Sequence, residues 1–380
     1  MRSRFSGMVV LVVMCITVVL GVVATQTASL TLWSLPYQSA FPAGLSLDAH
    51  GGIYTVASGE QEVYRLDPGT DTFRSWGVGE RPQDVLVANG TVFCTVREAN
   101  QLVYFDPAGL GVTTAALPFP NVGPSEIHRG PDRSDGRIVF WIAEWNAPGV
   151  LRFEYDPSDA PWIVGDPLDR GVGVERMSIH PVTVDADYEL FPYDITLMPE
   201  PEPLVASRAA SSFMEWTIPL GEDFFLQDIA VATDGKVWIS FGTPFLYRLD
   251  PAAATIQLME TIRNVTIFQG LLAADDGSIW FGNLVEGGIG HFDPVTGRSE
   301  TWRIPGTGEV YDLAFDSEGA VWYTDRIGDC IGRLDIRRNE ATVYRLPDNS
   351  EPLNLAVDVD GAIWFAAGSG NFIGRLEASR

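Results

Sequence analysis

A motif that recurs every 42 residues in the C-terminal half of the chain is the strongest constraint on its fold. The copies begin DGKVWISFG, DGSIWFGNL, EGAVWYTDR and DGAIWFAAG, and their turn glycines are Gly235, Gly277, Gly319 and Gly361. A fixed period of about 40–45 residues is the length of one four-stranded blade of a β-propeller. The sequence therefore predicts blades stacked around a central channel.

Weaker copies of the glycine–aliphatic–aromatic core extend the repeat toward the N-terminus, at His50–Tyr54, Asn89–Phe93 and Asp135–Val139. The next interval, from Gly136 to Gly235, is 99 residues long and has room for two units. A degraded copy at Asp185–Phe191 lies near its middle. We therefore predict eight blades, with seven as the alternative if this segment is an insertion.

Each unit reads as four strands: an alternating inner strand, an Asp/Gly turn, the IWF-type strand, the IGRL-type strand and an outer strand. The last unit lacks the outer strand, and Leu30–Pro36 has its form. Pairing this N-terminal strand with the last blade closes the ring and removes open sheet edges. No helical periodicity of useful length follows Ala24, so the predicted class is all-β. The repeated tryptophans are expected to pack between blades.

The first residues have the pattern of a secretory signal. Arg2 and Arg4 precede the apolar run Met8–Val23, and Val22–Ala24 offers small residues for cleavage. An uncleaved membrane anchor is the alternative. We predict residues 1–26 as signal peptide or anchor, 27–380 as one propeller domain, and an extracytoplasmic location with membrane contact only through residues 8–23.

Net charge and cysteine content limit the classes of partner and metal site that the chain can have. A net charge of −25 and a pI near 4.4 argue against nucleic acid, whose backbone requires a basic surface. Cys94 and Cys330 are in non-equivalent units, and the chain has no CxxC and no Cys/His zinc spacing. We expect a monomer without an organic cofactor, and a small molecule or an extracytoplasmic protein as partner.

The positions that the repeat leaves variable are the candidate site. At the start of the inner strands, about seven residues before the turn glycine, the chain has Gly44, Asp84, Glu126, Pro181, Asp228, Gly270, Asp312 and Asn354. The spacing is shorter at Asp84 and longer at Glu126, and Pro181 is assigned only by its place in the degraded unit. Because inner strands begin at one mouth of the channel, these side chains should converge there. Glu144, Asn283 and Asp325, at the ends of second strands, add oxygen atoms on the same face.

Crowded carboxylates require a cation, a proton or water. An oxygen-only set favours Mg²⁺ or Ca²⁺. The predicted metal ligands are Asp84, Glu126, Asp228, Asp312, Asn354, Glu144 and Asp325. The alternative is that these side chains cap the inner strands by accepting backbone N–H groups of the neighbouring blade.

The repeat DGxIWFxxxxxxxIGRLDP resembles the virginiamycin B lyase (streptogramin lyase) family, best over Asp276–Pro305, Glu318–Pro347 and Asp360–Glu377. The resemblance implies a seven-bladed ring that linearises a cyclic depsipeptide antibiotic by elimination. It also implies a histidine at the channel mouth beside Mg²⁺, helped by a glutamate. The family's histidines stand in a Pro-His-Gly setting, where this chain has Gln83, Gln227, Gln269, Tyr311 and Leu353.

Three functions remain open from the sequence. The first is a binding module that holds a ligand or protein at the channel mouth through Gln83, Gln227, Gln269, Tyr311 and Asn283. The second is a metal-assisted lyase with His180, the histidine nearest that column, as base. The third is a metal-dependent lactonase-type hydrolase, although such enzymes are six-bladed. His50, His128 and His291 are interpreted as structural. Whether His180 faces the channel separates the first two functions.

Overall fold

The computed structural model describes most of the chain as β-structure. It covers residues 28–109, 111–146, 149–157, 212–218, 226–243, 245–261, 268–284, 287–304 and 307–378, together with the strand segments 15–19, 23–24, 173–178 and 180–181. Within these ranges every regular element is a strand, and the strands form seven separate sheets. The predicted all-β class is confirmed.

Each sheet is a blade of four antiparallel strands, numbered here in chain order and given from the inner to the outer strand. Blades 1 to 3 consist of Pro42–Leu47, Ile53–Ala57, Glu62–Asp67 and Thr72–Gly77; of Pro82–Ala88, Thr91–Val96, Gln101–Phe105 and Thr113–Ala116; and of Pro124–Arg129, Ile138–Glu144, Gly149–Tyr155 and Ser212–Thr217.

Blades 4 to 7 follow the same order. They consist of Leu226–Val231, Val237–Phe241, Phe245–Asp250 and Thr255–Thr261; of Phe268–Ala273, Ile279–Asn283, Ile289–Asp293 and Arg298–Arg303; of Val310–Phe315, Val321–Asp325, Cys330–Asp335 and Glu340–Arg345; and of Pro352–Val357, Ile363–Ala367, Phe372–Ala378 and Ala28–Ser34.

The inner strands contact one another in a closed cycle from blade 1 to blade 7 and back to blade 1, so the molecule is a seven-bladed β-propeller. The prediction of eight blades is wrong, and its alternative of seven is confirmed. The third strand of blade 3 pairs directly with Ser212–Thr217, which makes the chain between Tyr155 and Ser212 an insertion within that blade. The interval of 99 residues is long enough for two periods of 42 only because this insertion is at least as long as a blade. The degraded copy Asp185–Phe191 lies in it, outside the described residues.

The two ends of the chain close the ring, as the sequence predicted. Ala28–Ser34 pairs antiparallel with Phe372–Ala378 and supplies the outer strand of blade 7. Trp33 stacks on Trp364 of the same blade, with ring centroids 5.4 Å apart. This seam is therefore sealed by a full backbone ladder and by aromatic packing.

Two short segments ahead of this strand add to the outside of other blades. Cys15–Val19 pairs in parallel with the outer strand of blade 5, and Val23–Ala24 with that of blade 6. Among the described residues, no helix has the length and apolar character needed to cross a membrane. The signal or anchor function of residues 1–26 remains a prediction.

The repeated tryptophans pack between blades, as expected. Trp238 of blade 4 meets Phe292 of blade 5 edge-on at 5.9 Å, and Trp280 meets Phe315 of blade 6 at 6.0 Å. Both tryptophans are buried. The repeat therefore fixes these residues for the seams between blades, which leaves the channel side as the variable surface.

A size complementarity inside each blade explains the glycine of the IGRL strand. At the position after the repeated tryptophan, the second strands of blades 5 to 7 carry a further aromatic residue. The directly opposite residue of the third strand is glycine, because a Cβ there would collide with the aromatic ring. The pairs are Phe281–Gly290, Tyr323–Gly332 and Phe365–Gly374. In the other four blades the second-strand residue is not aromatic, and the opposite third-strand residue is larger than glycine. These pairs are Thr55–Tyr64, Cys94–Val103, Ile142–Leu151 and Ile239–Tyr247.

Candidate functional site

A β-bulge stands at the start of the inner strand in all seven blades. The register shifts lie between Ala43/Leu45, Pro82/Asp84, Pro124/Ile127, Leu226/Asp228, Gln269/Leu272, Val310/Leu313 and Pro352/Leu355. A bulge bends its strand and redirects side chains. Here it brings the backbone of adjacent blades close together: a Cβ at Gly270, whose φ is +62°, would lie 2.7 Å from the Tyr311 carbonyl oxygen.

Three aspartates and one asparagine of the predicted column cap these bulges. The Asp84 carboxylate accepts the N–H of Val85 at 2.8 Å and, from the next blade, the N–H of Ile127 at 3.1 Å. Asp228 binds Ile229 and Leu271 in the same way, both at 2.6 Å, and Asp312 binds Leu313 at 2.8 Å and Leu355 at 2.9 Å. Asn354 Oδ1 accepts the Gly44 N–H at 3.0 Å. The capping alternative is confirmed for these four residues.

Burial raises the pKa of every carboxylate in this group. It raises the pKa of Asp312 to about 7 and that of Glu126 to about 7, because desolvation outweighs the hydrogen bonds that favour the charged form. The pKa of Asp84 is raised for the same reason, and that of Asp228 is raised well above its usual value by burial and then by Glu126. At pH values between the unfolded and the folded pKa, these carboxyl groups therefore hold protons that the unfolded chain would release.

The raised pKa of Asp312 predicts how stability depends on pH. Its folded pKa of about 7 exceeds its unfolded value, so the folded state binds the extra proton between those two values. Its contribution is present at acid pH and is lost as pH rises through about 7. Urea unfolding of the wild type at pH 5, 6, 7 and 8, in the presence of chelator, should show a free energy of unfolding that falls as pH rises. The same series for Asp312→Asn should show a smaller decrease with pH. Equal slopes for the two proteins would contradict this assignment.

Glu126, His128 and Asp228 form a separate cluster inside the channel. Glu126 and His128 are two residues apart on the inner strand of blade 3 and point to the same side, while Asp228 comes from blade 4. His128 Nε2 lies 3.5 Å from Glu126 Oε2 and 4.0 Å from Asp228 Oδ1. Both Glu126 Oε2 and His128 Nε2 are buried without a hydrogen-bond partner. The sequence interpretation of His128 as structural missed this cluster, although its alternation with Glu126 was visible.

The remaining predicted residues do not reach the channel mouth. The His180 backbone pairs with Thr255, on the outer strand of blade 4, so His180–Pro181 lies at the rim of the propeller and Pro181 starts no inner strand. Asp325 is fully buried, and its carboxylate accepts the N–H groups of Gly308 at 2.9 Å, Glu309 at 3.0 Å and Gly328 at 2.9 Å. Glu144 and Asn283 are buried at the ends of their second strands and do not line the mouth cavity.

The mouth of the channel is a cavity of about 390 Å³. Four blades present the residue just before the capping column: Gln83, Gln227, Gln269 and Tyr311. Gln227 Nε2 donates to Gln269 Oε1 at 2.5 Å, which joins blades 4 and 5 across the mouth. The structure thus brings together four of the five residues predicted to bind a ligand.

Three arginines and a tryptophan complete the cavity wall. Arg81 pairs with Glu98 at 2.9 Å and Arg326 with Glu309 at 2.6 Å. Arg97 instead lies over the Trp145 ring, 4.3 Å from its centroid, and its Nε is buried without a hydrogen-bond partner. Burial and then Arg81 lower the pKa of Arg97. No sequence pattern marks Arg97, because the tryptophan it contacts comes from blade 3.

Comparison with known proteins identifies the scaffold. Residues 254–380 match the model of the virginiamycin B lyase family. The predicted resemblance to that family is confirmed. No curated protein matches the chain. The matched region of this virginiamycin B lyase-like propeller contains the best copies of the repeat.

Solved structures with the same fold are distant in sequence. A streptogramin B lyase structure is 18% identical, covers 93% of this chain and 98% of its own, and has a TM-score of 0.69. A catalytically inactive virginiamycin B lyase from Staphylococcus aureus with quinupristin is 17% identical, covers 93% and 100%, and has a TM-score of 0.69. YCF48 bound to D1 peptide is 12% identical, covers 95% and 100%, and has a TM-score of 0.63. These similarities show the fold alone.

Proposed function

We propose that this virginiamycin B lyase-like propeller is a binding module whose channel mouth holds a small molecule or peptide segment with a carboxylate and amide groups. The observation that carries the proposal is Arg97, a mouth cation stacked on Trp145. Within the described residues it has no carboxylate partner, in contrast to Arg81 and Arg326.

An anionic ligand group explains the setting of Arg97. Its guanidinium carbon lies 4.3 Å from the centroid of the Trp145 ring, and this cation–π contact restricts the positions of its donors. A protein with a net charge of −25 repels anions in general, so an anion at the mouth requires a dedicated cation. A carboxylate accepts the paired N–H groups of a guanidinium in a bidentate geometry.

The glutamine column explains the amide part of the ligand. Each glutamine amide offers both donors and an acceptor. Gln227 and Gln269 already form an amide–amide hydrogen bond with each other, and Gln83 lies on the wall of the same cavity. Peptide groups have the same donor and acceptor types. The solved propeller that is bound to a peptide supports a ligand of this class.

Catalysis is the less favoured alternative, on geometric grounds. None of the described histidines lines the mouth cavity. His180, the candidate base, has its backbone paired with the outer strand of blade 4, and the His291 ring lies 4.6 Å from the Trp280 ring in a tilted contact. A lyase acting at the mouth would therefore lack the histidine base that the family resemblance implies. The lactonase alternative belongs to six-bladed propellers, and this ring has seven blades.

Calorimetry with N-acetyl-L-alanyl-L-alanine and its C-terminal amide tests the proposed ligand class. We expect the free acid to bind and the amide to bind more weakly. Arg97→Gln should weaken binding of the acid by about tenfold or more, because a charge-assisted hydrogen bond is worth about 1.5–3 kcal/mol. Arg298→Gln, at an exposed arginine on the outer strand of blade 5, is the matched control. The role of Arg97 would be refuted if the wild type bound the acid and the amide equally well. It would also be refuted if Arg97→Gln bound the acid as tightly as the wild type does.

Incubation with quinupristin separates binding from catalysis. Elimination opens the ring without a change in mass, whereas hydrolysis adds the mass of one water, so liquid chromatography with mass spectrometry distinguishes them. We expect quinupristin to be recovered unchanged. A product of unchanged mass but new retention time would establish the lyase alternative.

We also propose that the module works outside the cytoplasm. The N-terminal sequence supports this location through its basic start and apolar run. A similar propeller fold occurs in a structure described as the extracellular domain of a hybrid two-component system from B. thetaiotaomicron, with a TM-score of 0.57. N-terminal sequencing of the exported protein would test this location and locate any cleavage.

A further inference from the structure

We propose that Glu126, His128 and Asp228 bind one divalent transition-metal cation, with Mn²⁺ as the reference case, inside the channel between blades 3 and 4. The site adjoins the mouth cavity: Glu126 also lines that cavity, whereas His128 and Asp228 do not. The proposal does not require an organic ligand at the mouth.

The spacing of the donor atoms fits a single ion. His128 Nε2, Glu126 Oε2 and Asp228 Oδ1 all lie within 4.8 Å of one another. The two separations measured from Nε2 are 3.5 Å and 4.0 Å. Ligands about 2.0–2.2 Å from a tetrahedral metal lie roughly 3.4 Å apart. Side-chain adjustments of less than about 1 Å at each residue would therefore bring all three atoms into contact with one ion.

Two of the donor atoms have nothing else to bind. Glu126 Oε2 and His128 Nε2 are removed from solvent and form no hydrogen bond. An unsatisfied buried polar atom is costly, and the great majority of such atoms have a partner in folded proteins. Here two of them face each other across a gap that an ion would fill. This pair of orphaned atoms distinguishes the cluster from an ordinary group of acidic side chains.

The third donor is already oriented by the backbone. Asp228 is 4% exposed, and the N–H groups of Ile229 and Leu271 each reach one of its oxygens at 2.6 Å. Each carboxylate oxygen has a second lone pair for a metal. Such outer-shell hydrogen bonds hold a ligand in place and tune its metal. Asp84, Asp312 and Asn354 also bind backbone N–H groups, but among the described residues none of them joins a set of three ligand atoms that includes a histidine.

The nitrogen ligand decides the class of metal. Mg²⁺ and Ca²⁺ prefer oxygen ligands, as expected for the carboxylate column considered from sequence. An imidazole with two carboxylates suits Mn²⁺, Fe²⁺ or Zn²⁺ better. Two carboxylates supply the charge that neutralises a divalent ion. The expected order at equal concentration is Mn²⁺ and Zn²⁺ ahead of Mg²⁺ and Ca²⁺.

The competing explanation is a proton held between the buried carboxylates, with no metal. The test uses purified full-length protein that has been stripped with chelator and then titrated with Mn²⁺ in a calorimeter, in parallel with thermal unfolding. We expect one Mn²⁺ per chain and a higher melting temperature. Pulsed electron paramagnetic resonance of bound Mn²⁺ should show coupling to a histidine nitrogen. That coupling reports direct coordination, which a merely structural histidine would not produce.

Variants assign the site. Glu126→Gln and His128→Gln should each weaken Mn²⁺ binding by about tenfold or more, since loss of even an outer-shell partner costs about 10–100-fold. His291→Gln, at a half-buried histidine of blade 5, is the matched control and should bind as wild type does. Absence of Mn²⁺ binding, or bound Mn²⁺ without nitrogen coupling in the wild type, would overturn the proposal even if a variant fails to fold. Unchanged affinity in a folded His128→Gln would overturn it as well.

Discussion

Replacing Asp312 with alanine is expected to lower the free energy of unfolding by about 2–4 kcal/mol. The carboxylate accepts two backbone N–H groups, Leu313 at 2.8 Å and Leu355 at 2.9 Å, and the second belongs to the next blade. Alanine would leave both donors without a partner where adjacent inner strands meet. The loss therefore affects both the local bulge and the seam between blades 6 and 7. Urea unfolding of both proteins at one pH measures it.

Two further variants control this prediction. Asp312→Asn keeps one acceptor oxygen and should lose only about half as much, as Asn354 already caps the Gly44 N–H with a single oxygen at 3.0 Å. Glu340→Ala removes an exposed acid from the outer strand of the same blade and should change stability by less than about 0.5 kcal/mol. If Asp312→Ala loses no more free energy of unfolding than Glu340→Ala, the capping carboxylates do not stabilise the seams between blades.

The second large effect concerns the packing inside a blade. Gly290→Tyr should destabilise the protein by more than about 3 kcal/mol, because Phe281 already occupies the space that any side chain at Gly290 would need. Adding Phe281→Ile should recover most of that loss. The double variant then reproduces the Ile239–Tyr247 pair of blade 4.

A double-mutant cycle on this pair gives the test. Phe281→Ile alone should also be destabilising, because the residue is fully buried and opposite a glycine that cannot fill the space. We expect a favourable coupling of about 2–3 kcal/mol between the two substitutions. Additive losses would mean that the large and small residues of each pair do not compensate for one another.

Much of the fold could be predicted because a repeat reports architecture directly. The repeated glycines predicted the positions of the strands and the packing of the tryptophans between blades. The missing outer strand of the last unit predicted that the N-terminal strand closes the ring. The blade count failed at one place, since an insertion between Tyr155 and Ser212 is about as long as a blade. Length alone does not distinguish an extra blade from an enlarged loop.

The candidate site could be predicted less completely. The column from Asp84 to Asn354 was found because equivalent positions in a ring must converge. What each side chain binds depends on the bulges, which the sequence pattern does not show. His128 and Arg97 were missed for a related reason, since the residues that give them a role come largely from other blades.

The strand Ala28–Ser34 has a consequence for how the protein is made. Its partner is Phe372–Ala378, so this strand cannot pair until synthesis has passed all seven inner strands and reached Ala378. Until then blade 7 has an unpaired edge and the circle of blades is open. Contacts between such distant parts of a chain form late and slowly. A chain truncated before Phe372 would therefore leave Ala28–Ser34 without its partner strand.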